Sequence, residues 1–325
     1  MTTPSESLPM YFPGSPFSLN DAVLCSALVN SAYDMYSQWV AQDSPSDPAS
    51  FTWQPPTNPI IPGAPTLTFV GPLWGVATMV DVHYPEPFAF VAYDNTGRTW
   101  LAVRGSETHA DFWEDADVSQ SAYDPIVPNF GMVHSGFLNI YTTSYSSVWG
   151  YSVPALQQAI SAALSKLNYT PTMLYVTSHS LGAGLSTLAV PDVSINLKFG
   201  GGKVPILHYT LASPRVGDPS FAYNYNFKVP VPTFRIFNTE DIVPYGPPPV
   251  MPDSVVYEHV GVPISFTAQY DSTDGNHSYH DCYFYALNNP NQPQGQVNQQ
   301  LQSARAQIAI ARRRYDLLKC GIERS

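Results

Sequence analysis

The chain has 325 residues, with 14 Lys+Arg against 25 Asp+Glu and a net charge of −11. At 44% hydrophobic and only 12% charged it holds enough apolar surface for a sizeable core, which excludes a disordered chain. An acidic body without a basic stripe argues against nucleic acid as a partner, and no apolar run approaches the ~20 residues that span a bilayer.

The start, MTTPSESLPMYFPGSPF, has neither the basic beginning nor the apolar stretch of a secretory signal. The expectation is a chain that stays in the cell, leaves it by a route the sequence does not display, or lost a signal before this numbering begins. Residues 18–40 carry Leu19, Val23, Ala27, Tyr33 and Tyr36 at near-helical spacing, with Asn20 or Asp21 as the N-cap. Seven prolines between 42 and 66 forbid a helix or a central strand and predict a surface loop. Segments 88–95 and 99–105 read as a hairpin turning at Asn95–Gly97, and 152–167 as an amphipathic helix. A β-rich run over 173–180 leads into a small-residue helix over 181–190, and 204–214 and 233–238 are strand-like again. This alternation predicts an α/β sheet, with residues 1–295 as one domain. The tail 296–325 is basic, near +4 against near −15 for the rest, and its apolar residues from Leu301 to Leu318 share one helix face. Cys25, Cys282 and Cys320 are odd in number and far apart, which suits buried thiols rather than a disulfide framework or a metal site.

The chemistry concentrates in Val176-Thr177-Ser178-His179-Ser180-Leu181-Gly182-Ala183-Gly184. A strand ends, a serine follows, and small residues open a helix: the setting of a nucleophile elbow, which lifts a serine Oγ above a sheet. Small side chains are needed two before and two after the nucleophile. Gly182 meets the second need and Ser178 approximates the first, so the pattern is Ser-x-Ser-x-Gly. The helix start beyond Ser180 offers N–H groups and a positive dipole end to an oxyanion.

Six blocks in order resemble the class 3 (fungal-type) triacylglycerol lipases of the α/β-hydrolase fold, over roughly residues 70–290. They are LAVRGSETHADFWEDADV (101–118), VHSGF (133–137), VTSHSLGAGLSTLA (176–189), ASPRVGDPSFA (212–222), FRIFNTEDIVPYGPPP (234–249) and NHSYHDCYFYAL (276–287). The resemblance implies a central, mostly parallel sheet flanked by helices. It makes Ser180 the nucleophile, Asp241 the acid that orients a histidine, and the N–H groups of Ser106 and Leu181 the oxyanion hole. It implies an ester or lipid substrate, transient contact with a lipid interface and no cofactor.

Three histidines follow Asp241. His259 lies in a strand-like block where the family has no base. His277 follows Gly275-Asn276 and matches the Asn-His-Ser form of bacterial members. His280 has Tyr283-Phe284 three and four residues on, as several fungal members do. His277 is the expected base and His280 its rival. His179 reads as a packed neighbour of the nucleophile, His134 as structural, and Asp218, a rival acid, as a turn residue. Glu114, Asp115 and Asp117 mimic a metal cluster but fall in a lid-like segment, 107–123, where a solvated face is the plainer reading. Phe112, Trp113, Tyr123, Tyr141 and Tyr145 suit an apolar acyl pocket, though aromatics are also common as core residues.

The expected activity is ester hydrolysis through an acyl-serine, with a triacylglycerol lipase foremost. Alternatives are an esterase for short-chain, phenolic-acid or polymeric esters, a silent binding protein on the same scaffold, and an interaction protein working through its basic tail.

Overall fold

The computed structural model describes residues 17–79, 82–106, 118–199, 202–229, 231–251, 254–270 and 272–290. The basic tail and most of the lid candidate, including Phe112, Trp113, Glu114, Asp115 and Asp117, lie outside the described residues.

Helix α1 (Leu19–Val40) opens the described chain, and its cap is Ser18 rather than Asn20 or Asp21: the Ser18 hydroxyl accepts from Asp21 N at 3.2 Å. The proline-rich stretch after it holds one short 3-10 turn, Pro48–Ser50. It also packs inward, Phe51 edge-on to Trp74 and Trp53 tilted against Phe90. Strands β1 (Thr68–Met79), β2 (Val82–Tyr93) and β3 (Arg98–Val103) follow. Next come β4 (Gln120–Ala122), β5 (Met132–His134), α2 (Ser135–Thr142), β6 (Tyr145–Ser146) and β7 (Ser152–Val153).

Helix α3 (Leu156–Ser165) is shorter than the 152–167 expected. Ser152 and Val153 are drawn into a hairpin with Ser146 and Tyr145, and Pro154 separates that strand from the helix. Strand β8 (Met173–His179) feeds α4 (Leu181–Asn196), which continues through Pro191 instead of stopping before it. The remainder is β9 (Ile206–Leu211), α5 (Pro219–Lys228), β10 (Thr233–Asn238), β11 (Val262–Phe266), α6 (Thr273–His277), a π-helical turn (Tyr279–Phe284) and α7 (Tyr285–Asn288).

The main sheet runs β1-β2-β3-β8-β9-β10-β11. Every pairing from β3 to β11 is parallel, and only β1–β2 and β2–β3 are antiparallel. This is the expected mostly parallel sheet. Alternation along β3 sorts the core: Leu101 and Val103 join a cluster with α2, α3, α4 and α5, while Trp100 and Ala102 join one with α1 and the last helical turns. Among the described residues no helix is long and apolar enough to cross a membrane.

Candidate active site

Ser180 stands between the end of β8 and the start of α4 with φ +55° and ψ −125°, a conformation that L-residues avoid. The strain is held by close packing around it. A Cβ on Gly182 would lie 2.2 Å from the Arg104 carbonyl oxygen, and one on Gly105 would lie 2.9 Å from Ser180 Cβ. The elbow therefore needs glycine at both places. Ser178, the imperfect match at the first small position, fits because its hydroxyl finds a partner. It lies 2.7 Å from Ser186 Oγ, which lies 2.8 Å from His208 Nε2. His208 Nδ1 in turn meets Tyr225 Oη at 2.8 Å, and that hydroxyl meets Thr233 Oγ1 at 2.9 Å. Burial lowers His208 to about 3, so its imidazole is neutral in this chain of hydroxyls.

His277 closes α6. Its Nε2 is 2.8 Å from Ser180 Oγ and its Nδ1 is 2.7 Å from Asp241 Oδ2. All three residues are buried. Asp241, just past β10, accepts Val243 N–H at 2.9 Å on Oδ1 and the Tyr283 hydroxyl at 2.6 Å on Oδ2. Burial first, and the Asp241 charge next, hold the Tyr283 phenol well above its usual range, so it remains a donor.

The rival histidines sit elsewhere. His280 is exposed, its ring 5.9 Å from Phe284. His259 Nε2 lies 2.7 Å from the Pro244 carbonyl, and burial followed by the Arg235 and Arg215 charges pushes it well below the ordinary range. It is thus a neutral donor to Pro244. His179 packs its ring 4.8 Å from His277, with Tyr283 and Tyr279 edge-on. His134 caps α2 by accepting Gly136 N–H, and Asp218 caps α5 by accepting Phe221 N–H at 2.7 Å.

Ser106 is half-buried directly after Gly105, on the strand end that faces Ser180. Leu181 is the first residue of α4, whose opening N–H groups have no carbonyl a turn behind them. Of the aromatic pocket candidates, two take the core reading. Tyr123 and Tyr141 are fully buried and hold α4 through Leu188 O and Asp192 Oδ2, so neither faces an acyl chain. Tyr145 is half-buried, tilted against Tyr151 in the β6–β7 hairpin.

Three supporting residues were not singled out for the site. Tyr33, noted only as a helix-face residue, accepts Gly105 N–H at 3.1 Å and hydrogen-bonds His179 Nδ1 at 2.8 Å. Its ring stacks on Tyr279. Arg104 is buried at the end of β3, donating to Pro87 O and Gly105 O and pairing with Glu86 at 2.8 Å. Tyr283 had been weighed only as a marker for His280. The available signal was chemical: a tyrosine or arginine in a buried pattern must find partners for its polar end.

Residues 100–251 match the sequence model of a family described as Lipase (class 3). That stretch belongs to the class 3 lipase family. Ser180 and Asp241 fall inside it, whereas His277 lies beyond its end. Relatives of the chain include phospholipase A1-II 3 of Oryza sativa subsp. indica, 34% identical over 165 residues, covering 46% of this chain and 39% of the relative. A lipase of Rhizomucor miehei is 31% identical over 162 residues, covering 49% and 40%. The chain thus spans about two fifths of the length of these curated relatives. Among solved structures, the Rhizomucor miehei triacylglyceride lipase superposes with a TM-score of 0.51 at 22% identity, covering 78% of this chain and 83% of that one. The lipase of Rhizopus microsporus var. chinensis does so with 0.51 at 20%, covering 81% and 82%. At such identities the superpositions show the α/β-hydrolase fold.

Proposed function

We propose that this protein hydrolyses carboxylic esters of lipids through an acyl-serine intermediate. The observation that carries this reading is the unbroken line Ser180 Oγ–His277 Nε2 and His277 Nδ1–Asp241 Oδ2, at 2.8 and 2.7 Å, at a strained strand-to-helix turn. Ser180 attacks the ester carbonyl while His277 takes its proton at Nε2. Asp241 fixes the imidazole tautomer and balances the imidazolium. The N–H groups of Ser106 and Leu181 receive the oxyanion, and His277 returns the proton to the leaving alcohol. Water, deprotonated by His277, then attacks the acyl-serine and releases the acid.

The substrate class follows the relatives by analogy: a triacylglycerol, as the fungal lipases suggest, or the sn-1 ester of a phospholipid. The second is favoured by the rice phospholipase A1-II proteins among the sequence relatives. The test is p-nitrophenyl ester hydrolysis from C2 to C16 by wild type and Ser180→Ala, with triolein and phosphatidylcholine in parallel. Turnover that Ser180→Ala abolishes supports the reading, and the product from each lipid ranks the two substrates. Turnover unchanged in Ser180→Ala, or absent from wild type on every ester, overturns it.

A further inference from the structure

The segment between Asp124 and Lys166 contains no Asp, Glu, Lys or Arg. At its middle the β6–β7 hairpin presents Val148 and Trp149, 92% and 86% exposed, the two most exposed large apolar side chains among the described residues. A soluble surface has no reason to place a tryptophan and a valine side by side at a tip, unless the tip enters something apolar.

The tip is built rather than loose. Tyr145 pairs with Val153 and Ser146 with Ser152. Ser147 N–H donates to Tyr151 O at 2.9 Å, Gly150 N–H to Ser147 O at 3.2 Å, and Trp149 N–H to Ser147 Oγ at 3.0 Å. Gly150 supplies the left-handed residue, φ +92°. These bonds occupy three of the turn's backbone donors, so less bare backbone would enter a low-dielectric layer. Buried Val153 anchors the other end of the hairpin.

Its location follows from register. Val103 pairs with Ser178 and with Ala89, and Ala89 pairs with Leu73. From Trp74 onward β1 therefore runs beyond the level of Ser178, on the side where Ser180 stands. Strand β7 packs against β1, and Leu156, three residues past Val153, lies over Gly75, whose added Cβ would be 3.2 Å from Leu156 Cβ. The base of the hairpin thus stands at the Ser180 end of the sheet.

We infer that Val148 and Trp149 form an anchor that inserts into an uncharged lipid surface and holds the Ser180 face against it. This rests on the lipid-ester reading above. Charge selects the occupant: a chain of net −11 is repelled by anionic surfaces, and an uncharged hairpin gains nothing from them. Tryptophan at a tip suits the boundary of a zwitterionic or neutral lipid layer, where its ring is apolar and its N–H wet.

The test is flotation with phosphatidylcholine vesicles, using the full Ser180→Ala chain so that binding is read without hydrolysis. Val148→Ser/Trp149→Ser on that background should lower the bound fraction by at least about tenfold. The parent's binding should persist in high salt. On the active chain the same pair should leave kcat/KM for monomeric p-nitrophenyl butyrate unchanged while slowing hydrolysis of an emulsified lipid. Equal flotation of parent and variant, a parent that stays in the aqueous fraction, or a dimer in solution that the pair dissolves without any vesicle binding would each overturn the anchor. A chain that hydrolyses no ester would overturn the lipid-ester reading but leave the flotation result to be judged alone.

Discussion

Tyr283 donates its hydroxyl, at 2.6 Å, to the same Asp241 oxygen that meets His277 Nδ1. The carboxylate is therefore held from two sides on one oxygen and by Val243 N–H on the other. Tyr283→Phe keeps the ring packed edge-on to Phe266 and removes the hydroxyl, which donates to Asp241 and also accepts Asn238 N–H at 3.0 Å. A hydrogen bond to a charged group is worth about 1.5–3 kcal/mol, so kcat on a soluble ester should fall about tenfold or more with KM little changed. Steady-state kinetics with folding checked by circular dichroism reads this out, and an unchanged kcat would remove Tyr283 from the positioning of Asp241.

The two neighbouring histidines separate cleanly by substitution. His277→Asn should cost on the order of a thousandfold or more in kcat, since the proposed proton acceptor is lost. His280→Asn, at an exposed position, should stay within about twofold. The reverse pattern in parallel kcat measurements would transfer the base to His280.

Gly182→Ala forces a methyl group to within 2.2 Å of the Arg104 carbonyl oxygen. Both atoms belong to rigid elements, so the β3 end and the α4 start must part. The expected outcome is a loss of about 1–3 kcal/mol in stability from overpacking and a fall of about a hundredfold in kcat/KM from displacement of Ser180, the proposed nucleophile. Thermal unfolding and ester kinetics on one preparation measure the two effects; wild-type kinetics would refute the close approach.

Acid should destabilise the fold through His208. Its folded pKa is lowered to about 3 from the ordinary 6.5, so the unfolded chain binds a proton that the folded chain refuses. The neutral form's stability is fully present above pH 6.5 and is lost as pH falls from 6.5 toward 3, by about 1.4 kcal/mol per pH unit. His259, pushed well below its usual range by burial and then by the Arg235 and Arg215 charges, acts in the same direction. His208→Gln should be less stable at pH 7 yet show a shallower decline between pH 6.5 and 4 in chemical denaturation. An equal slope in both proteins would mean that His208 is not buried as a neutral ring.

The strand-to-helix turn at Ser180 was readable because its signals are local: an apolar β-rich run, a serine, then small residues within nine positions. The central strands β3, β8, β9 and β10 were readable for the same reason, each being a short apolar run. Strand β1 was not, because Gly71, Pro72 and Gly75 break its pattern and pairing with β2 supplies the order that propensity lacks. The start of α3 was misplaced because Tyr145, eight residues before Val153, claims that residue for a hairpin. The histidine stayed open because His277 and His280 are three residues apart in a helical run. Only the fold shows that the π-helical turn Tyr279–Phe284 brings Tyr283 to Asp241 while His280 points outward. Tyr33 was visible as a helix-face aromatic, but its partners lie 72 and 146 residues away and no spacing rule reaches that far.

That reach of α1 bears on how the protein is cut for laboratory work. Residues 100–251 carry the recognisable family signature, and a clone trimmed to them would look self-sufficient on paper. It would lack the Tyr33 hydroxyl that Gly105 N–H and His179 share, and the Glu86 carboxylate paired with Arg104. The end of β3 would then lose the Pro87 carbonyl and Glu86 carboxylate that hold Arg104, and the hydroxyl that accepts Gly105 N–H. The unit that must be expressed together is wider than the unit a sequence comparison outlines, and it begins no later than the first turn of α1.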